Sequence, residues 1–357
     1  MEKSGFVDIQ YFEGMHVVKV AILTFHNSPN NAGAVLQAWA LQRAIDRLGH
    51  NAQVIDYHRK YADYNKWWSF DSLGGLCYTL KRFPCEIIRQ ERCNAFRRCC
   101  LKLVGTKHGR CMDFKDADAY IVGSDQVFNP RNNEMNPDFL LDFVPHGKKR
   151  IAYGASFGTD AFPDEYMQML EKNLPRFNAL SVREYSGAET VKRIADIDAQ
   201  VVLDPTLLHK AEEYRPLMEA ERSVSPPNEP YVFMYIIGNH PDARLIALEK
   251  AREIGAKRIV VMTNGRAEWH LPQLGIFRRI HVYSPSDFLA HIASAAYVVT
   301  NSFHGTAFSI VFNRPFVSLR NGTAGDNRMA TLLNAKEGGT LDAMREKSIS
   351  FLKKALS

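Results

Sequence analysis

The sequence lacks several features that would assign it quickly to a class of protein. No apolar run is long enough to span a bilayer, and the start, MEKSGFVDIQ, has no positively charged stretch followed by an apolar one. We therefore expect neither a membrane span nor a secretory signal. A Walker P-loop, a G-x-G-x-x-G pattern and a recognisable nucleic-acid-binding module are also absent. We expect a cytoplasmic protein that does not bind nucleic acid.

Cysteines are few and confined to one segment. All six lie between Cys77 and Cys111, no two form a C-x-x-C pair, and Cys99 and Cys100 are adjacent. This pattern fits neither a disulfide framework nor a zinc site. We interpret the cysteines as reduced cytosolic thiols and expect no bound metal.

Positive charge is concentrated in the same segment. Residues 77–111 carry a net charge of +7, whereas the whole chain carries +6. The basic residues of the segment are Lys81, Arg82, Arg89, Arg92, Arg97, Arg98, Lys102, Lys107 and Arg110, against Glu86 and Glu91. The cluster is either a solvated helical face or a surface for an anionic acceptor or a membrane. Peripheral membrane contact through residues 77–111 is therefore one expectation.

Apolar segments alternate with helical ones along the chain, which predicts an α/β fold with parallel sheets covered on both faces. At 357 residues the chain is long for one core, so two domains are expected. In the first half, strands are predicted over 16–25, 52–57, 119–125, 150–157, 179–184 and 199–205. In the second half, they are predicted over 231–238, 258–263, 278–283, 296–300 and 315–319.

The segment ERSVSPPNEP separates the two halves, and its charge, serines and prolines are typical of a linker, here residues 221–230. We predict an N-terminal α/β domain over 1–220 and a C-terminal Rossmann-like domain over 231–340. A last helix within 341–357 is expected to pack back on the first domain. A basic, aromatic insertion at about 58–117 is expected to be irregular.

Ligands bind beyond the carboxyl ends of strands in open α/β sheets, so polar residues there are site candidates. Asn30, Asn31 and Gly33 follow the first strand and suit a plain turn or a helix start whose N–H groups could hold an anion. Ser124 and Asp125 lie at the end of a later strand. Asp125 could act as a general base or cap a helix.

Two further strands end in charged residues. Arg183 could bind a carboxylate or phosphate through its planar fork, or pair with Glu184 on the surface. Asp204 precedes Pro205, which favours helix capping as its role.

The stretch AYVVTNSFHGTAF places Ser302, His304 and Gly305 where a buried strand turns into a helix. A neutral histidine at a helix start can donate to a phosphate or accept a proton. The alternative is a histidine satisfied by core neighbours. Farther on, Arg328 lies after a glycine-rich loop and is another candidate anion ligand.

These motifs, in this order, resemble those of the polysaccharide pyruvyl transferase family. The matching stretches are NNAGAVLQAWALQRAIDRLGH, YIVGSDQVFNP, RIAYGASFG, LSVRE, VVLDPTLL, VVTNSFHGTAFSIVFNRPFVSL, DNRMATLL and REKSISFLKKAL. The resemblance covers nearly the whole chain apart from the basic insertion and the linker. It implies two doubly wound Rossmann-like domains facing a cleft, with an architecture like that of GT-B glycosyltransferases.

The resemblance also implies an activity: a pyruvyl unit moves from phosphoenolpyruvate to a sugar of a cell-envelope polysaccharide, giving a pyruvate ketal. The partners would be phosphoenolpyruvate and a sugar or lipid-linked glycan acceptor, and no cofactor is required. Action at the inner face of the membrane would suit a lipid-linked acceptor.

By the resemblance, Arg183 and His304 fall on anion-binding or catalytic positions of the family, and the other site candidates are chosen from their place at strand ends. Arg183 becomes a ligand of the donor's phosphate or carboxylate, and His304 a phosphate ligand or proton donor. Asp125 becomes the candidate base. Ser124 and the loop with Asn31 and Gly33 become candidates for substrate binding. Some family members carry an arginine two residues before the histidine; Ser302 stands there in this chain, and Arg328 is the candidate to supply that anion contact.

Two other functions stay open from the sequence. One is a glycosyltransferase of similar architecture that uses a nucleotide sugar, although no E-x₇-E pair lies near residues 287–305. The other is a non-catalytic glycan-binding member of the family, suggested by Ser302 in place of arginine.

Overall fold

The computed structural model describes residues 16–28, 31–57, 73–105, 116–263, 275–323 and 325–357. Within these residues, the strands pair in two sheets, and all pairings are parallel. The first sheet contains β1 (Lys19–Leu23), β2 (Asn51–Ile55), β3 (Leu103–Val104), β4 (Ala119–Val122), β5 (Lys149–Ala155), β6 (Ala179–Val182) and β7 (Gln200–Val201). The second contains β8 (Tyr231–Ile236), β9 (Arg258–Thr263), β10 (Phe277–Ile280), β11 (Tyr297–Thr300) and β12 (Phe316–Ser318).

Both sheets have the strand order of Rossmann-type folds. The first runs β3-β2-β1-β4-β5-β6-β7 and the second β10-β9-β8-β11-β12. In each, the order reverses beside the first strand of the unit, which opens a crevice at the carboxyl ends of the strands. The predicted fold class, α/β with two Rossmann-like parallel sheets, is confirmed.

Helices connect most of the strands. They are α1 (Ala32–Arg47), α2 (Leu73–Cys100), α3 (Pro130–Asn133), α4 (Asp164–Asn173), α5 (Tyr185–Ala195), α6 (Ala211–Ala220), α7 (Ala243–Glu253), α8 (Pro285–Ser294), α9 (Phe303–Val311), α10 (Asp326–Glu337) and α11 (Leu341–Leu356). Short 3₁₀ turns lie at Pro137–Leu140, Leu174–Arg176 and Pro205–Leu208. No helix in the described ranges combines the length and apolarity needed to cross a membrane.

The core crosses from one sheet to the other. One cluster of buried apolar side chains contains Ile22 and Leu36 from the first half together with Tyr235 and Phe288 from the second. Burying apolar area is the main favourable contribution to folding, so this shared cluster stabilises the arrangement of the two halves. The last helix, α11, also contacts the first half: Leu203 N–H donates to Ser348 Oγ at 2.9 Å.

The prediction of an irregular insertion was wrong for residues 73–104. They form α2, a helix of 28 residues, and the edge strand β3. The helix went unrecognised because its inward face carries charged side chains, which a search for apolar periodicity overlooks. Glu86 pairs there with Arg82 at 2.6 Å and also with Arg89, and all three side chains are buried. Residues 58–72 and 106–115, with Lys107 and Arg110, lie outside the described residues.

The basic character of α2 is therefore mostly internal. Arg97 pairs with Asp56 and donates to His26 Nδ1 at 3.1 Å. Arg92 donates to Val282 O at 3.2 Å, whereas Arg98 is exposed. Cys85, Cys93, Cys99 and Cys100 form no disulfide within the described residues.

Candidate active site

Several of the polar segments chosen from the sequence lie at the points where the strand orders reverse. Gly33 follows β1 and Asp125 follows β4, the two strands that flank the reversal in the first sheet. His304 follows β11, which flanks the reversal in the second sheet. The carboxyl ends of parallel strands are where α/β folds bind ligands, so the topology favours a site here.

Asp204 is the centre of the buried network. Its Oδ2 accepts from Arg183 Nη1 at 2.6 Å and from Ser124 Oγ at 3.0 Å. Its Oδ1 accepts from the backbone N–H and the hydroxyl of Thr206, at 3.0 and 2.7 Å. Burial alone would raise the pKa of Asp204, but the adjacent His304 and the Arg183 charge hold it well below its usual value. Asp204 is therefore a fixed, ionised carboxylate.

Arg183 joins two carboxylates rather than pairing with its neighbour in sequence. Besides Asp204, its guanidinium reaches Asp125 Oδ1, 3.5 Å from Nη2, and its Cζ lies 4.4 Å from the centre of the Phe303 ring. The side chain is only 2% exposed. Burial would lower the pKa of Arg183, but Asp204 and Asp125 raise it above its usual value. Its charge is thus compensated by the protein itself.

Asp125 is held in a left-handed backbone conformation with φ of 73°. Aspartate tolerates this region better than most residues do. Its Oδ1 accepts from Gln126 N–H at 2.9 Å. Burial would raise the pKa of Asp125, but the charges on Arg183 and His304 lower it. A carboxylate with a lowered pKa is a weak base at neutral pH.

His304 lies in the first turn of α9, where Ser302 is the N-cap and its Oγ accepts from Gly305 N–H at 3.3 Å. The His304 ring packs directly on the start of α1. A Cβ on Gly33 would lie 2.3 Å from the ring, so only glycine fits at that position. The ring's Nε2 has no hydrogen-bond partner among the described residues and lies 3.8 Å from Asp204 Oδ2.

Arg328 and Glu184 border the network on another side. Arg328 projects from α10, with its Cζ 5.9 Å from the Phe303 ring, and it is partly exposed. Glu184 is buried; its Oε1 accepts from Ser156 Oγ at 2.9 Å and from Phe157 N–H at 3.1 Å. Its Oε2 lacks a hydrogen-bond partner in the described part of the chain. Burial raises the pKa of Glu184, although Arg183 and Ser156 act in the opposite direction.

The structure brings together most of the residues chosen from the sequence. Interacting in or beside the network are Gly33, Ser124, Asp125, Arg183, His304 and Arg328. Asn31 and Ser302 act as helix caps, since Asn31 Oδ1 accepts from Ala34 N–H at 3.2 Å. Asn30 lies outside the described residues. The alternatives of a helix-capping Asp125 and an Arg183–Glu184 surface pair are not what the structure contains.

Sequence reasoning underrated Asp204 and Glu184. The capping role of Asp204 is real, because it is the N-cap of the turn Pro205–Leu208. The stronger role of Asp204 is to accept a hydrogen bond from Arg183 through Oδ2, the oxygen that does not cap the turn. This bond joins residues that are 21 positions apart in the sequence. The available signal was that both carboxylates lie at the carboxyl ends of predicted strands.

Comparison with known proteins finds one matching family model and several solved structures that are similar to this chain. A family model described as polysaccharide pyruvyl transferase matches residues 31–323. No curated protein matches the sequence significantly. Among solved structures, UDP-GlcNAc 2-epimerase from Neisseria meningitidis is 12% identical, with 94% of this chain and 98% of that chain covered and a TM-score of 0.45. The Rickettsia bellii UDP-N-acetylglucosamine 2-epimerase is 9% identical, with 95% of both chains covered and a TM-score of 0.46.

Proposed function

Because the chain belongs to the polysaccharide pyruvyl transferase family, we propose that it moves a pyruvyl group from phosphoenolpyruvate to a sugar. The acceptor is a sugar of a cell-surface polysaccharide or its precursor, and the product is a pyruvate ketal. The reaction needs a proton donor for the methylene carbon, a base for the sugar hydroxyl and cations for the donor's phosphate and carboxylate.

The observation that carries this proposal is that Nε2 of His304 has no hydrogen-bond partner among the described residues and lies beside the ionised Asp204. A carboxylate next to an imidazole stabilises the imidazolium that forms when the ring takes up a proton. His304 can therefore hold a proton and deliver it to the methylene carbon, or donate to the leaving phosphate. The contact with Gly33 restrains the ring, so that it is already oriented before substrate binds.

The two arginines have different roles in this proposal. Arg328 is partly exposed and is the direct ligand of the donor's phosphate or carboxylate. Arg183 is buried between Asp125 and Asp204, so it acts on the donor chiefly by fixing those carboxylates and by its positive field. Together they supply the cationic surroundings that Ser302 does not provide.

A phosphate-release assay tests the proposal. Purified protein is incubated with phosphoenolpyruvate and a panel of pyranose acceptors, and inorganic phosphate and the ketal are measured. We expect acceptor-dependent phosphate release and a thermal shift with phosphoenolpyruvate. If neither occurs, the proposal fails. A shift with a nucleoside diphosphate instead would favour the nucleotide-sugar glycosyltransferase, and binding of glycan without turnover would favour a non-catalytic member.

We also propose that the enzyme acts in the cytoplasm, at the inner face of the membrane, on a lipid-linked acceptor. The support is the outer face of α2, where Leu76, Leu80, Ile87 and Ile88 are exposed and Arg98 adds charge. An apolar face with neighbouring cations suits an anionic lipid surface. Leu80→Glu should weaken co-sedimentation with phosphatidylglycerol vesicles. Leu245→Glu, an equally exposed leucine on α7, is the control. Equal sedimentation of the two variants would exclude this contact.

A further inference from the structure

A small pocket opens at the amino end of α5, beside the buried network. It is lined by the loop after β5 (residues 156–160), by Glu184, by the first turns of α5 and by Arg328. Its volume is about 230 Å³ including the open mouth. This figure includes open solvent and the recess encloses no space of its own, so it can contact only one side of a small ligand such as a monosaccharide unit.

Glu184 is the side chain in this pocket whose bonding is incomplete. It is 97% buried, and its Oε1 is fixed by Ser156 and Phe157, whereas its Oε2 has no hydrogen-bond partner among the described residues. Gly187, in the first turn of α5, leaves room for the carboxyl, since a Cβ there would lie 3.3 Å from Oε1. A buried polar atom without a partner is costly and calls for an explanation. A ligand hydroxyl in the pocket would supply the missing partner.

The lining defines the chemical class of that ligand. Among the residues that line the pocket, two carry carboxyl groups, Asp160 and Glu184, and one is a cation, Arg328. Because Arg328 is already assigned to the anionic donor, a second anionic ligand would bind poorly in this pocket. The remaining polar groups include the hydroxyls of Thr159, Ser186 and Thr190. Hydroxyls and carboxylates recognise a neutral, polyhydroxylated ligand, and a sugar has that chemistry.

We propose that this pocket is the subsite for the acceptor sugar and that Glu184 is the general base, through Oε2, for its attacking hydroxyl. The inference rests on the proposed function. As the donor's methylene carbon gains a proton, the hydroxyl oxygen bonds to the adjacent carbon and its O–H bond breaks, the proton passing to Glu184. The carbon–oxygen bond to phosphate then breaks, and phosphate leaves with that bond's electron pair. A second hydroxyl of the sugar then bonds to the same carbon, its O–H bond breaks and its proton passes to the departed phosphate, which completes the ketal.

Glu184 meets the requirements of a base better than Asp125 does. Asp125 Oδ1 already accepts from Gln126 and faces Arg183, and its pKa is lowered. In the described part of the chain, one oxygen of Glu184 has no hydrogen-bond partner, and burial raises the pKa of this carboxyl, which makes it a stronger base. The charged groups that act on Glu184 are Arg183 and Arg328, and Asp160 also lines the pocket.

The first test replaces the carboxyl with an isosteric amide. Glu184→Gln should lower kcat for ketal formation about 10²- to 10⁴-fold, the usual contribution of a general base. The KM for phosphoenolpyruvate and the thermal midpoint should change little. Glu189→Gln, on the exposed side of α5, is the matched control and should turn over like the wild type. A Glu184→Gln variant with wild-type kcat would overturn the inference.

Two further readouts separate a base from a structural carboxyl. The wild-type rate should rise with pH as Glu184 loses its proton, and that limb should be absent from Glu184→Gln. Glu184→Ala should regain activity on addition of formate, which can occupy the vacated space and accept the proton. If Glu184→Gln proves unstable and formate restores nothing to Glu184→Ala, the carboxyl is structural and the inference fails.

A binding experiment keeps the inference testable if wild-type enzyme releases no phosphate, which would refute the proposed function alone. Saturation-transfer NMR is then run with methyl glycosides of glucose, galactose and mannose. We expect signal from at least one glycoside with wild type, and its loss in Ser186→Trp, which plugs the mouth of the pocket. Absence of signal with wild type, or signal unchanged by the plug, would overturn the acceptor subsite.

Discussion

Asp204 and His304 approach each other from opposite halves of the chain, and the 3.8 Å between Oδ2 and Nε2 is the central distance of the site. Asp204 is fully buried, and five atoms lie around its two carboxylate oxygens. Four of these five atoms belong to the first half of the chain. His304 is the contribution of the second half. A proton on the imidazole would be stabilised by this fixed carboxylate at no cost of rearrangement.

The first prediction at the residue scale concerns His304→Ala. Turnover should fall by at least about 10²-fold, because Nε2 of the ring, which has no hydrogen-bond partner among the described residues, is the proposed proton donor or phosphate ligand. The fold should persist, since that nitrogen makes no hydrogen bond within the described residues. Phosphate release and thermal melting are measured together, with the exposed His146→Ala as control. A near-normal rate in His304→Ala would remove this residue from the chemistry.

The second prediction concerns Asp204→Asn and pH. The pKa of Asp204 is lowered in the folded state from its usual 3.8, so its stabilising contribution is fully present above that pH. This contribution is lost progressively as the pH falls from 3.8 toward the lower pKa that Asp204 has in the folded protein. At pH 7 the variant should be destabilised by about 3–5 kcal/mol, because Arg183 loses a buried partner.

Urea unfolding at a series of pH values from 7 to 3 measures the destabilisation predicted for Asp204→Asn and its dependence on pH. The difference in free energy of unfolding between wild type and Asp204→Asn should begin to narrow below the usual carboxyl pKa. The exposed Asp198→Asn removes only a surface pair with Lys192 and should be nearly neutral throughout. A difference that does not depend on pH would mean that Asp204 is not ionised in the folded protein.

At the scale of elements, α2 shows how a charged helix can pack inward. Its buried positions include Thr79, Arg82, Glu86, Arg89 and Cys93, spaced alternately by three and four residues. The spacing is that of a helical face against a core, although most of the residues are charged. The Arg89 guanidinium lies 5.6 Å from the Tyr283 ring, so α2 also contacts the second half.

The prediction for α2 compares two glutamates five residues apart. Glu86→Gln should lower the free energy of unfolding by about 3 kcal/mol, because the buried Arg82 and Arg89 lose a charged acceptor. Glu91→Gln, on the exposed side of the same helix, should change it by less than about 0.5 kcal/mol. Urea unfolding of both variants is the measurement. Equal, small effects would show that the Glu86 pairs contribute little.

At the scale of the whole molecule, the last helix, α11, contacts the segment of the first half that contains Asp204. Besides the bond from Leu203 to Ser348, Arg345 Nε donates to Leu207 O at 2.8 Å, and Phe351 packs 6.1 Å from Tyr153 between ring centres. Leu203 directly precedes Asp204. The last helix therefore supports the segment that holds the central carboxylate.

Ser348→Ala tests this support. The Leu203 N–H would lose its partner in a buried setting, so the variant should be destabilised by about 1–3 kcal/mol. Its kcat should fall more than that of Ser350→Ala, an exposed serine on the same helix. Thermal melting and phosphate release are compared for the pair. If the two variants behave alike, α11 does not help to fix Asp204.

The sequence by itself determined the alternation of strands and helices, because that pattern is written in local runs of apolar residues and in the turns and caps between them. It also placed the candidate residues at strand ends, since Asp125 and Arg183 lie at the ends of predicted strands and His304 follows one. Only the tertiary structure showed that α2 is a helix. Its inward face carries charged side chains that are paired with one another, so the sequence lacks the apolar periodicity that usually indicates a buried helix.

Tertiary structure alone also decided how the charges are distributed. Arg183 faces Asp204 and Asp125, which are 21 and 58 residues away, and not the adjacent Glu184. With this pairing, one oxygen of Glu184 has no hydrogen-bond partner among the residues that the structure describes. The pKa of Asp125 is lowered, whereas that of Glu184 is raised. The physical reason is that burial and ion pairing depend on which residues the fold brings into contact, and local sequence does not encode those contacts.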